Sequence, residues 1–287
     1  MPLRCVVESK NILGEGPVWC PRDQVLFWID MVGQKLFRYS PATSAVKTWE
    51  LPLTIGSFAL RENGGLIMAL RDGFYFYDLE TQKLTPQKIL IGKDDLGICF
   101  NDGKCDRKGR FWAGTKHINE VQSLGILYRF DAHGDAQPME HGILVSNGVA
   151  FSPDNTVAYF ADSPRKLIYK YAFDLESGTL SNRSVFASNE AGPGYPDGAT
   201  VDSEGCLWSA EWNGWRVVRY TPDGRIDRVI DTPVARPTSC QFGGEDLKTL
   251  YITSASIGQD FKQQPQAGGL FAIDVGVAGL PEPRYAG

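Results

Sequence analysis

Oxygen-bearing side chains set beside glycine recur along this 287-residue chain at a spacing that could bring them to one point. The equivalent position falls in GEGPVW with Glu15, NDGKC with Asp102 beside Asn101, SNGVA with Asn147 and PDGAT with Asp197, and also in TIGSF with the apolar Ile55 and TSCQF with Ser239. In five of them a glycine follows directly, namely Gly16, Gly56, Gly103, Gly148 and Gly198. A single Asp-Gly or Asn-Gly pair is a turn signal in most proteins. A glutamate has no such turn preference, and four polar copies in register outweigh that reading. Carboxylates brought together repel unless a proton or a cation intervenes. Carboxylate and amide oxygens, without imidazole or thiolate, form the donor set of a hard dication such as Ca²⁺, Mg²⁺ or Mn²⁺. Asn101 and Asp102 are neighbours, so a regular strand turns them to opposite faces and only one is expected to look squarely into the site.

The elements that must carry these residues repeat as well. Short β-type runs follow a turn in QVLFWID, GGLIMAL, GRFWAGT, NTVAYFAD, GCLWSAE and KTLYITS. Their anchor residues Phe27, Ile67, Trp112, Tyr159, Trp208 and Tyr251 lie 40, 45, 47, 49 and 43 residues apart. A second strand type follows, as in KLFRYSPAT, GFYFYDLET, ILYRFDAHG and LIYKYAFDLESG, where aromatic and β-branched residues alternate with charged ones as on a half-wet sheet. No segment has the period and caps of an amphipathic helix. Repeats of this length holding about four short strands each predict an all-β, six-bladed β-propeller spanning residues 1–287 as one domain. The glycine-flanked residues lie 12 positions before each anchor, give or take two. That places them at the start of each innermost strand, around the central channel, where a metal site is expected. The ring must close, and the N-terminal LRCVVES is expected to pair beside LFAIDVG.

Composition removes several function classes. A net charge of −5 without any basic cluster argues against nucleic acid or a membrane as partner. The N-terminus lacks a long apolar core and no apolar run reaches spanning length, so a cytoplasmic protein with six reduced cysteines is expected. Only His117, His133 and His141 occur, without H-E-x-x-H, and G-x-S-x-G is absent.

Taken in order, GEGPVW, NDGKCDRKGRFWAGT, SNGVAFSPD, PDGATVDSEGCLW, QFGGEDLKTLYIT and AGGLFAID resemble the senescence marker protein/gluconolactonase/luciferin-regenerating family nearly end to end. The resemblance implies one divalent metal held by Glu15, Asn147 and Asp197. It also implies that Asn101 contacts substrate or water on the metal, and that the chemistry is hydrolysis of a sugar lactone to an aldonic acid. Many relatives carry an arginine two residues before that asparagine, where this chain has Cys99. A family glutamate in the loop after AGT falls on Asn119 or Glu120. The sugar pocket is therefore expected to differ from the animal type.

Lactone hydrolysis needs a polarised carbonyl, an activated water and a proton for the leaving alkoxide. A dication, Ca²⁺, Mg²⁺, Mn²⁺, Fe²⁺ or Zn²⁺, can supply the first two. Asp197 is the expected base as well as ligand, and Asn101 orients the lactone or the water. Asn119, Glu120, Tyr195 and Trp212 are the expected sugar-binding wall, with Trp215 divided between wall and packing; Trp112 and Trp208 belong to the repeat core. The alternatives are an esterase or organophosphate hydrolase on the same propeller, and a non-enzymatic calcium-binding regulatory protein.

Overall fold

The computed structural model describes residues 2–92 and 97–287. Its strands form six four-stranded antiparallel sheets. Five sheets are built from consecutive strands. In the sixth, the N-terminal strand Arg4–Val7 lies outermost and pairs with Leu270–Asp274, so the two ends of the chain close the ring. This is the expected β-propeller, and its six blades correspond to the six sequence repeats. The six cysteines are free thiols.

Burial grades outward within a blade, as the alternation of the sequence requires. In the first blade the strand Val25–Asp30 is buried throughout, Lys35–Ser40 alternates, and the outermost Ala45–Glu50 is exposed except at Trp49. The apolar core is divided among six clusters, each shared by two adjacent blades. One cluster, for example, packs Phe27, Ile29 and Trp49 of the first blade against Phe58, Met68 and Tyr77 of the second. Another packs Trp19 and Trp28 of the first against Tyr251 and Leu270 of the sixth. Each blade is thus held by its neighbours, and burial of this apolar surface is the main stabilising term.

Two repeats show how the turn motif is built. In DRKGRFW, Asp106 accepts the backbone N–H groups of Lys108 and Arg110 on Oδ1. On Oδ2 it accepts Trp112 Nε1 and Arg110 Nε, at 2.8 and 2.6 Å. In DSEGCLW, Asp202 accepts Glu204 and Cys206 N–H on Oδ1, and Trp208 Nε1 and Arg219 Nε on Oδ2, both at 2.8 Å. One buried carboxylate closes the turn and fixes the indole of the next strand, which gives Trp112 and Trp208 their structural role.

The C-terminal segment crosses one end of the channel. Tyr285 exchanges backbone hydrogen bonds with Leu60 and Glu62, stacks on Phe130 at 5.8 Å, and donates its hydroxyl to Asp131 O at 2.6 Å. Glu282 pairs with Lys104 at 3.1 Å.

Candidate functional site

Strand register fixes which residues share one level of the channel. The six anchors pair with Val18, Ala59, Lys104, Ala150, Thr200 and Gln241 on the innermost strands. Every innermost strand then carries a register shift on the side towards its start, within the three residues before that pair. The residue three before each pair is Glu15, Gly56, Asn101, Asn147, Asp197 and Thr238. Two of the sequence expectations are therefore displaced by one position, Gly56 replacing Ile55 and Thr238 replacing Ser239; of Asn101 and Asp102, between which the sequence left the choice open, Asn101 holds this position. The cause is the hairpin between the two strands, whose length varies by a residue or two from blade to blade, so counting back from the anchor slips.

Four blades thus present oxygen-bearing side chains, and two do not. Thr238 turns its hydroxyl away to Gly14 O at 2.5 Å and Thr253. Gly56 is needed as glycine, because a Cβ there would stand 2.6 Å from Asn101 O. Asp102 occupies the position of Gly16, Gly148 and Gly198, one level deeper. The bulge removes the simple alternation, so Asn101 and Asp102 both reach the channel, at different depths. Asp102 lines a small cavity of about 20 Å³ with Lys104, Ser239 and Glu282. Its carboxylate accepts N–H groups from Gly103, Gly148 and Val149.

Above this level opens a cavity of about 420 Å³. Glu15, Asn101, Asn147 and Asp197 line it together with Lys116, Glu120, Ser163, Tyr195, Trp212 and Asn213. A hydrogen-bond chain crosses three blades at its base. Asn101 Nδ2 donates to Asn147 Oδ1 and to Ser146 O, both at 2.9 Å. Asn147 Nδ2 donates to Ser163 Oγ at 2.8 Å, and Ser163 donates to Pro196 O, next to Asp197, at 2.6 Å. Both amide hydrogens of Asn101 are used, which leaves its Oδ1 for a ligand, and Asn147 Oδ1 keeps a second lone pair.

The carboxylates are buried, and the anionic forms pay for it. Burial pushes Glu15 up to about 8, helped by the negative charge of Asp102 and opposed by the Gly16 N–H and Lys116. Asp197 is held well above the usual carboxylate range by burial first, then by Glu15 and Asp102. Lys116 is the sole lysine or arginine among the described lining residues, and it is engaged by Glu120 at 2.6 Å. An oxygen-only donor set whose carboxylates resist ionisation fits a hard dication, and Glu15, Asn147 and Asp197 are the residues that could hold it.

Of the expected wall residues, Tyr195, Trp212 and Glu120 line this cavity, whereas Asn119 is exposed in the same loop outside the lining. Trp215 is also exposed and outside it. His117 accepts the Asn119 N–H on Nδ1. Cys99 pairs in register with Lys116, and burial raises its thiol, so it stays protonated. Lys116, Ser163 and Asn213 were not singled out by the sequence. Lys116 lies near the end of an anchor strand, and Ser163 and Asn213 directly follow one, in AGTK, FADS and AEWN, which is the signal that could have found them.

The comparisons with known proteins agree with this architecture. The profile of the SMP-30/gluconolactonase/LRE-like region matches residues 13–256. A 6-deoxy-6-sulfogluconolactonase of Pseudomonas putida is 43% identical, the alignment covering 99% of each chain. Regucalcin of Danio rerio is 36% identical, over 99% of this chain and 98% of its own. The solved structure of a calcium-binding protein, regucalcin, from Agrobacterium tumefaciens strain C58 superposes with a TM-score of 0.93 at 28% identity, covering 98% of this chain and 96% of that one. With the family profile spanning most of the propeller and both relatives aligned from end to end, this chain belongs to the SMP-30/gluconolactonase/LRE-like family.

Proposed function

We propose that the protein hydrolyses a small sugar lactone to the aldonic acid, with one divalent cation held by Glu15, Asn147 and Asp197. The observation that carries this reading is the convergence of those three side chains with Asn101 at one level of the channel, beneath a cavity with aromatic and polar walls. The names of the relatives, among them a sulfogluconolactonase, support the same reaction class. Oxygen donors favour Ca²⁺, Mg²⁺ or Mn²⁺ over softer metals.

When bound, the cation supplies Lewis-acid polarisation of the lactone carbonyl and lowers the pKa of water beside it. In this reading Asp197 receives the proton of the attacking water on a carboxylate oxygen. Asn101 Oδ1, fixed by the two hydrogen bonds of its amide, orients that water or a substrate hydroxyl. Water oxygen bonds to the carbonyl carbon, the ring C–O bond breaks, and the ring oxygen leaves as a hydroxyl by taking the proton that Asp197 received. Glu120 and Asn213 can accept or donate to sugar hydroxyls, while Trp212 and Tyr195 offer apolar faces to the ring C–H groups.

The test is hydrolysis of a panel of aldonolactones by chelator-treated protein, with Ca²⁺, Mg²⁺, Mn²⁺, Fe²⁺ or Zn²⁺ restored and Asp197→Ala in parallel. Metal-dependent turnover that disappears in the variant is expected. Rates no faster than spontaneous hydrolysis across the panel, with the metal bound, would reject the lactonase reading.

A further inference from the structure

Two aromatic residues of the cavity wall carry cations on their rings, a positive charge that nothing in the lactone reaction itself calls for. Tyr195 and Trp212 are direct cross-strand partners and both line the cavity. Each carries a cation on its ring. Lys166 Nζ lies 4.9 Å from the Tyr195 centroid, and Arg236 Cζ lies 4.6 Å from that of Trp212. Neutral acceptors tether both: Gly192 O takes Lys166 Nζ at 3.0 Å, Asn213 Oδ1 takes Arg236 Nε at 2.7 Å, and Ile257 O takes Arg236 Nη1.

Other cations in this part of the molecule are neutralised. Arg165 pairs with Asp162, Arg216 with Glu211 and Lys116 with Glu120. Among the described residues neither Lys166 nor Arg236 has a carboxylate partner, and Arg236 Nη2 has no hydrogen-bond partner. Two uncompensated cations are thus held on two paired aromatic residues of the cavity wall, one on each ring, while Glu15 and Asp197 lie on the floor. A ligand that is electron-poor at one end and anionic at the other matches that polarity.

We propose that Lys166 and Arg236 form a subsite for an acidic substituent, so that the preferred substrates are sugar lactones carrying a carboxylate, sulfonate or phosphate group away from the lactone carbonyl. This rests on the lactonase reading and adds the substrate class to it. The carbonyl would go to the floor, where Glu15, Asn147 and Asp197 would hold the cation. The ring lies along Tyr195 and Trp212, and the anion meets the ammonium and the free face of the guanidinium. The negative floor adds selectivity by repelling the acidic end from the wrong orientation.

The experiment compares kcat/KM for gluconolactone with that for the lactones bearing carboxylate, sulfonate or phosphate at C6. It uses the full-length protein with dication present, at low and at high ionic strength. Arg236→Gln and Lys166→Gln are assayed alongside. At low salt the charged-to-neutral ratio should be about tenfold or more, expressed chiefly in KM, and should shrink as salt screens the pair. Each variant should lower that ratio about five- to tenfold. The anion with the largest ratio identifies the group. Turnover of gluconolactone with a ratio near one, or a ratio unchanged in both variants, overturns the subsite and leaves the lactonase reading standing. Should no lactone be turned over, the lactonase reading falls. The subsite is then decided by calorimetric binding of 6-phosphogluconate against gluconate: a preference lost in Arg236→Gln upholds it, and equal binding overturns it.

Discussion

Asn101 and Asn147, on neighbouring blades, are joined by a single buried hydrogen bond of 2.9 Å that runs from the amide nitrogen of the first to the amide oxygen of the second. The direction of that bond sorts their roles. Asn101 spends its donors on the scaffold and keeps an acceptor for the cavity, while Asn147 is oriented from both sides, by Asn101 and by Ser163. Replacing Asn101 with Asp puts two acceptors face to face at Asn147 Oδ1 and again at Ser146 O. Asn101→Asp is expected to lose about 100-fold or more in kcat/KM, the size of effect seen when a positioning or electrostatic partner is removed. Asn147→Ala should instead act on the dication, weakening its affinity by at least about tenfold while saturating metal restores part of the rate. Steady-state kinetics with calorimetric metal titration separates the two. Equal metal affinity in wild type and Asn147→Ala would remove Asn147 from the ligand set.

Glu15 and Asp197 make the stability of the metal-free protein depend on pH in an unusual sense. Both carboxyls titrate higher in the folded state than in the unfolded chain, Glu15 at about 8 against an ordinary value of 4.5. Between these values the folded state holds more protons than the unfolded one, so stability falls as pH rises. Metal-free protein should therefore melt at lower temperature at pH 8 than at pH 5.5. Dication binding requires the ionised forms and releases protons, so the rise in Tm on adding metal should grow over the same interval. Thermal melts with and without chelator check this. A metal-induced shift that is constant from pH 5.5 to 8 would show that these carboxylates are not the ones engaged.

Asp102 lies beneath the ring and raises both Glu15 and Asp197 through its charge. Asp102→Asn keeps an oxygen for the N–H groups of Gly103, Gly148 and Val149 while removing that charge. Glu15 and Asp197 should then ionise at lower pH, and the fall in metal-free Tm between pH 5.5 and 8 should become shallower. Dication affinity at pH 8 should also drop, by about three- to tenfold, because one attractive charge near the site is lost. The same titrations and melts read both effects. A pH profile superimposable on wild type would exclude Asp102 as a source of the field.

The repeat architecture was legible because the anchors Phe27, Ile67, Trp112, Tyr159, Trp208 and Tyr251 are in-register equivalents, each paired to an innermost strand at the same height. A periodic apolar pattern survives variation in loops, since burial demands it in every blade. The ring itself was legible only to within one residue. At Ile55 and Ser239 the hairpin length and the bulge shift the count, and no local pattern reports either. Glu15, Asn147 and Asp197 stood out through their residue types beside glycine. Lys116, Ser163 and the rim pair Lys166 and Arg236 did not, because serine, lysine and arginine near strand ends are ordinary surface residues in sequence. It is the packing of blades around the channel that brings Lys116 and Ser163 to the cavity, and Lys166 and Arg236 onto its aromatic wall residues.

Gly148 joins backbone geometry to the site most directly. Its φ is +60°, and a Cβ there would stand 2.9 Å from Asp197 O and 3.2 Å from the Ala161 side chain. An alanine would thus meet a left-handed backbone and a crowded neighbour at once. Gly148→Ala should destabilise the fold by about 1–3 kcal/mol. The strain acts between Asn147 and Asp197, two residues assigned to the same cation, so its second effect should be on their separation. Dication affinity should fall about tenfold or more, beyond what a stability loss of that size produces at a temperature where the variant is fully folded. By contrast Gly134, whose φ is +87° with open space around it, lies in an exposed turn. Gly134→Ala should cost a similar backbone strain and leave metal affinity unchanged. Urea unfolding and calorimetric titration of the two variants side by side test the assignment. Equal metal affinity in both would mean that the glycine after Asn147 serves the fold alone.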